Sequence, residues 1–316
     1  MSGKKASSII LGTRGSELAM FQAHHVAWIL QSKNVDLSVK IKTIMTTGDK
    51  ILDTPLAKVG DKGLFVKEIE NELLAGEIDI AVHSCKDLPT ELPVGLTIAA
   101  FGAREDARDA FIGKPGSDAR SLSDIVPGGT IGTSSLRRRS QLMSMRPDLD
   151  IVDIRGNVDT RIRKIEEMNL DGTILATAGI KRLERLFEAS FFFDVEEMIP
   201  AVGQGVIAIE SRENDPVVRD LLSNFNDGDS AAAVTAERAL MKVLEGGCQV
   251  PIGAHARVRG SRLSIKAYLG SLDGKKFIRD EIEGPVEEAG DLGVRLAARM
   301  YEAGGREILE EVRAEG

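Results

Sequence analysis

Cysteine, aromatic residues and positive charge are all scarce in this 316-residue chain. Its two cysteines, Cys85 and Cys248, are too few and too far apart for a disulfide framework. Aromatic residues make up 4%, with one Trp, which speaks against a base-stacking platform for nucleic acid. Lys and Arg number 41 against 49 Asp and Glu, a net charge of −8. The basic surface of a non-specific nucleic-acid binder is therefore missing, although a local cationic site remains possible. No apolar run approaches the ~20 residues of a membrane-spanning helix. The run Ile9–Leu11, after Lys4 and Lys5, is too short for a secretory leader. His24, His25 and His255 show no metal-ligand spacing with the cysteines, so no metal site is expected. These absences predict a soluble, cytoplasmic protein that engages neither nucleic acid nor membrane.

What is present is a hydrophobic fraction of 42%, spread in short runs, in a chain long enough for two or three domains. Short apolar runs alternate with amphipathic stretches twice over. Residues 9–13, 38–46 and 78–84 read as strands, with helices to about Leu30 and over 63–74, the latter stopped by Gly76. The pattern restarts with strands at 130–133, 150–154 and 173–178 and helices at 135–145, 159–168 and 179–187. That is the signature of two α/β domains. Residues 206–210 form an isolated apolar strand able to return to the first sheet. After a helix over 231–244, three alternating stretches with turns at Arg259-Gly260-Ser261 and Asp273-Gly274 predict antiparallel hairpins, and a helical stretch over 286–311 closes the chain. The expected domains are 1–105 with 200–223, then 106–199, then an α+β domain at 224–316.

Four constellations carry chemistry. Thr133-Ser134-Ser135-Leu136-Arg137-Arg138 stands where a strand gives way to a helix, a place suited to anions. Arg155-Gly156-Asn157, with Arg161 one turn on, and Arg14 with Ser16 repeat that arrangement, and three strand ends offering arginine point to one polyanionic ligand. By contrast Arg139, Arg146, Arg163 and Lys164 read as solvated helix faces. Lys58-Val59-Gly60-Asp61-Lys62-Gly63 lacks the spacing of a phosphate loop and reads either as a functional loop over a site or as an ordinary surface loop. In His83-Ser84-Cys85-Lys86-Asp87-Leu88-Pro89, Asp87 ends an apolar strand, where a carboxylate can move protons or stabilise a cation; a turn-forming Asp is the alternative, and Cys85 reads as a buried structural thiol. In Glu245-Gly246-Gly247-Cys248-Gln249, two glycines leave room at the sulfur. Cys248 is either a nucleophile or covalent anchor, or a structural residue after a helix C-cap.

Taken in order, Thr13–Ser16, 52–65, Ala81–Asp87, Gly132–Arg138, Arg155–Val158, Pro200–Gly205 and 245–253 resemble the hydroxymethylbilane synthase (porphobilinogen deaminase) family over essentially the whole chain. The resemblance implies two α/β domains like those of periplasmic binding proteins around a cleft, plus a smaller α+β domain. It implies head-to-tail condensation of four porphobilinogen molecules with loss of ammonia, by a monomeric enzyme. It also implies a dipyrromethane cofactor attached through Cys248. By the same resemblance Asp87 is catalytic; Lys86, Thr133, Ser134, Arg137, Arg138 and Arg161 bind cofactor; and Arg14, Ser16, Arg155, Asn157 and Gln204 bind substrate. Lys58, Lys62 and Phe65 fall in the family's mobile loop. Each pyrrole ring carries an acetate and a propionate, which accounts for arginines in an acidic chain. Cys85 stands where Met is expected, and Asp159 where a small residue is expected, slightly weakening the local positive field. A two-domain solute-binding protein is the competing reading.

Overall fold

The computed structural model describes residues 8–50, 63–244 and 250–315. Its strands are β1 (Ser8–Thr13), β2 (Ser38–Thr43), β3 (Ile80–Ser84), β4 (Leu96–Phe101), β5 (Asp109–Gly113), β6 (Thr130–Gly132), β7 (Asp150–Val152), β8 (Gly172–Ala176), β9 (Phe191–Phe192), β10 (Ile207–Arg212), β11 (Ile252–Arg259), β12 (Arg262–Gly270) and β13 (Phe277–Pro285). The α-helices are α1 (Glu17–Lys33), α2 (Thr47–Lys50), α3 (Lys67–Leu74), α4 (Leu136–Met145), α5 (Val158–Glu167), α6 (Thr177–Arg182), α7 (Pro216–Leu222), α8 (Gly228–Val243), α9 (Ala289–Met300) and α10 (Arg306–Glu315). No helix among the described residues is long and apolar enough to cross a membrane.

The described residues from Ser8 to Glu105, with Val206–Ala231, make one compact unit. Its sheet has the order β2-β1-β3-β10-β4. β1 runs parallel to β2 and β3, and β10 is antiparallel to β3 and β4. A strand more than a hundred residues further along thus sits in the middle of this sheet. The inner parallel strands β1 and β3 are apolar because helices cover them, whereas the edge strand β2 alternates with Lys40 and Lys42. One face packs on Ala23, Val26 and Leu30 of α1 and on Val218 and Leu222 of α7. The other packs on Ile69 and Leu73 of α3. The expected helix over 63–74 starts only at Lys67, because Gly63 takes a left-handed φ of 97° and opens a turn instead.

Asp106–Gly205 and the chain from Ala232 make the second unit. Its larger sheet, β7-β6-β8-β5-β9, repeats the pattern of three parallel strands, one reversed strand (here β5) and an edge strand antiparallel to it. Its smaller sheet is the antiparallel β11-β12-β13, with a core of its own that includes Leu240, Ile265 and Leu296. The smaller sheet is bonded to the larger one's helices: Ser140 of α4 meets the Tyr268 hydroxyl at 2.7 Å and donates to Ser271 O at 2.6 Å. Glu237, fully buried, accepts from Gly203 N and Ala256 N at 2.7 Å each. Two expected helices are shorter than their patterns. The one over 179–187 is α6, Thr177–Arg182. The closing stretch over 286–311 is broken at Gly304, whose φ of 108° no helix accommodates, into α9 and α10.

Candidate active site

In the first unit Ser16 caps α1, its Oγ accepting from Ala19 N at 3.3 Å. Such a cap contributes about 1 kcal/mol and fixes where β1 gives way to the helix. Arg14, just before it, is half-buried and forms an ion pair with Asp49. Its guanidinium carbon lies 4.2 Å from the Phe65 ring centroid, a cation–π distance. Asp49 also accepts from the Thr46 hydroxyl at 2.7 Å. Burial pushes the Asp49 carboxyl up, but Arg14 and Thr46 outweigh it and hold it low. Gly48 makes this packing possible, since a Cβ there would overlap the Phe65 ring. β3 ends in a single tight turn, Cys85–Asp87. Cys85 is buried, and its backbone N–H donates to Val206 O at 2.9 Å. Lys86 is half-buried and Asp87 exposed, so the turn presents the carboxylate to solvent. Lys58 and Lys62 lie outside the described residues.

In the second unit Ser135 caps α4, accepting from Arg138 N, and Asn157 caps α5, accepting from Thr160 N at 2.9 Å. The hydroxyl of Thr133 accepts from Ser135 N and that of Ser134 donates to Ile154 O. Arg137 and Arg138 do not stand at the surface; they are 5% and 4% exposed. Both converge on Asp109, which is fully buried at the start of β5. Arg137 Nη2 donates to Asp109 Oδ2 at 2.8 Å, and Arg138 donates to Oδ1 through Nη2 at 2.7 Å and Nε at 3.2 Å. Arg137 Nη1 reaches Ile199 O and Arg138 Nη1 reaches Ile174 O, both at 2.8 Å. Burial alone would raise the Asp109 carboxyl; the two guanidiniums overcome that and hold it far below the usual range. Gln204, expected to meet substrate, is 1% exposed, and its amide donates to Asp109 Oδ1 at 3.0 Å and to Ala107 O at 2.7 Å. It braces the carboxylate that holds the arginines. Arg137 Nε is buried with no acceptor among the described residues.

Arg155 and Arg161 are half-buried around the start of α5, where the helix dipole favours anions. Arg161 Nε donates to Gly156 O at 2.9 Å. Gly156 has a φ of 123°, and a Cβ there would overlap Thr160. Asp159 is matched by Arg185, so it does not stand unopposed beside this corner. Of the arginines read as solvated, Arg139 and Arg163 are exposed, and Arg163 pairs with Glu167 one turn on; Arg146 is instead part-buried, pairing with Asp148 and donating to Leu122 O at 2.8 Å and Ile125 O at 3.2 Å.

A family model described as porphobilinogen deaminase, dipyromethane cofactor binding domain, matches residues 9–220, and another described as porphobilinogen deaminase, C-terminal domain, matches residues 231–302. This chain belongs to the porphobilinogen deaminase family. Porphobilinogen deaminase of Pelobacter propionicus is 52% identical over 302 residues, covering 96% of both chains. That of Syntrophomonas wolfei is 53% identical over 303 residues, covering 96% of this chain and 98% of its own. That of Geobacter sulfurreducens is 49% identical over 302 residues, covering 96% and 94%. Among solved structures, the methionine-binding protein MetQ has a TM-score of 0.45 at 13% identity over 69% of this chain and 90% of that one, which carries no argument here. The chain is therefore an enzyme, with the dipyrromethane-binding region of its family in residues 9–220.

Sequence reasoning missed Asp49 and Asp109. The second left a trace: an Asp opening the apolar run Ala110-Phe111-Ile112 is a charge placed where only a partner can sustain it.

Proposed function

We propose that this enzyme condenses four porphobilinogen molecules head to tail, losing ammonia at each step, to give the linear tetrapyrrole hydroxymethylbilane. The observation that carries the reading is Asp87, an exposed carboxylate at the end of the buried strand β3, in a chain matched over nearly all its length by porphobilinogen deaminases. The donor set suits a dipyrromethane with several carboxylates: Arg137 Nε–H is buried without an acceptor among the described residues, and each guanidinium carries five N–H donors in all. On this reading Cys248, which lies outside the described residues, tethers the cofactor through a thioether. On the same reading Lys86, Thr133, Ser134, Arg137, Arg138 and Arg161 hold its carboxylates. Arg14, Ser16, Arg155 and Asn157 bind substrate, and Gln204 contributes by holding Asp109.

When bound, the dipyrromethane supplies a free pyrrole α-carbon as first acceptor. Asp87 accepts hydrogen bonds from the pyrrole N–H of the substrate and stabilises the cation left on the substrate ring as ammonia departs. Arginines pair with acetate and propionate groups, each contact contributing about 1.5–3 kcal/mol. The nucleophile is a ring carbon, so no activated serine is needed. The reading makes the enzyme cytoplasmic and monomeric.

Asp87→Asn tests it. The isosteric amide lacks the charge, and turnover of porphobilinogen should fall by ~10²–10³ or more with stability nearly unchanged. Near-normal turnover would sink the assignment. Intact-protein mass and colour with Ehrlich's reagent separate it from a solute-binding protein, which would carry no pyrrole adduct and give no colour.

A further inference from the structure

Behind the strand that leads to Asp87 lies a buried acidic cluster that the reaction above does not use. Side chains alternate across β3 and β10. Ile80, Val82, Ile207 and Ile209 face the core under α1, so Ala81, His83, Ala208 and Glu210 face the side covered by α3. His83 Nε2 lies 3.1 Å from Glu210 Oε2, with side chains 4% and 0% exposed. α3 adds Glu70, itself 6% exposed. Glu70 Oε1 and Glu210 Oε1 are both buried and have no hydrogen-bond partner among the described residues. Ionised carboxylates only accept, whereas a protonated one donates. With no donor facing either oxygen among the described residues, a proton on one of the two acids lowers the cost of burying both. Burial, and then the Glu210 charge, push the Glu70 carboxyl up to about 7. The other charged groups of the packed elements are engaged elsewhere or exposed. Glu68 accepts from Thr47 N, Glu72 pairs with Lys42, and Lys67 is exposed. Asp79 accepts from Ile10 N, and Arg212 donates to Leu73 O and Ile78 O and pairs with Asp215.

We propose that Glu70, Glu210 and His83 form a positioning cluster that locks β3 against β10 and α3, and so fixes the Ser84–Asp87 turn, with Glu70 carrying the proton the cluster requires. This rests on the reading of Asp87 given above. The link is short: His83 pairs with Ala208 and Ser84 with Ile207, and the turn bearing Asp87 begins at the next residue. Loss of the proton leaves two like charges in a buried space, and their repulsion is relieved by parting α3 from the two strands. The sign follows. An acid whose folded pKa is raised favours the fold while protonated, and that contribution is lost as pH rises through about 7.

The test is the pH dependence of kcat and of thermal stability for the holoenzyme and for Glu70→Gln, an uncharged isostere of the protonated form. The parent should lose both together as pH rises through neutrality, and Glu70→Gln should lose that limb from both profiles. Infrared difference spectra should show a protonated carboxyl band in the parent at neutral pH that is absent from Glu70→Gln and retained in Asp87→Asn. If Glu70→Gln does not fold, Glu210→Gln removes the same repulsion and should flatten the same limb. An unchanged limb and band in the glutamine variant would overturn the proposal. So would a limb in stability with none in kcat. Failure of the Asp87 reading is separate: an active Asp87→Asn would refute that assignment while leaving the carboxyl band in place.

Discussion

Asp109→Asn should be among the most damaging single-atom-scale changes available in the second unit. The carboxylate is fully buried and accepts from Arg137 Nη2, from Arg138 Nη2 and Nε, and from Gln204 Nε2, at 2.7–3.2 Å. An amide of the same shape has one acceptor oxygen in place of two and no charge. Two guanidiniums, 5% and 4% exposed, are then left facing each other without a counter-ion. Breaking a buried ion pair by removing one partner costs about 3–5 kcal/mol. Against a total stability of about 5–15 kcal/mol, that is roughly a fifth of the fold or more. At about 2–4 °C per kcal/mol, the midpoint should drop by roughly 6–20 °C in a thermal melt followed by circular dichroism. The pH profile gives an independent check. The folded carboxyl is held below its ordinary value of 3.8, so its stabilisation is present above that pH and lost as pH falls below it. Asp109→Asn should lack that part of the acid limb. A midpoint within about 2 °C of the parent, with the acid limb intact, would refute the argument, because it would mean that the arginines do not depend on this charge.

Arg155→Leu should stall assembly or elongation, seen as absent cofactor or arrested enzyme–pyrrole masses after incubation with substrate, whereas Arg139→Leu, on the exposed face of α4, should not; equal effects would refute the division of site from surface. Peptide mapping should place a mass excess of two linked pyrroles on the segment containing Cys248 and none on Cys85, which is 2% exposed; an adduct on Cys85, or a fully active Cys248→Ala, would overturn the tether. Gly48→Ala should displace Phe65 from beneath Arg14, raising KM for porphobilinogen more than it changes the melting point; an unchanged KM would show that the Phe65 contact does not set the arginine's position.

Local interactions were legible in the chain alone. The helix starts near Ser135 and Asn157 were legible because each cap, like that at Ser16, bonds a backbone N–H three residues ahead, within one short window of chain. The same holds for the hairpin turns at Gly260 and Gly274, where a positive φ selects glycine, and for the alternation of apolar runs and amphipathic stretches that marked α/β organisation. The place of Asp87 at a strand end was legible for the same reason. Even there the boundary shifted where one backbone angle decided it, as at Gly63 and Gly304. Only the tertiary structure settled where charge is buried. Arg137, Arg138 and Arg139 are consecutive in sequence, and the first two turn inward because Asp109, 28 and 29 positions earlier, waits in β5. His83 meets Glu210 across 127 positions because β10 returns between β3 and β4. A carboxylate and a guanidinium look alike on paper whether solvated or buried. Their desolvation depends on which strand and which helix close over them, and that is a property of the folded sheet rather than of any segment in it.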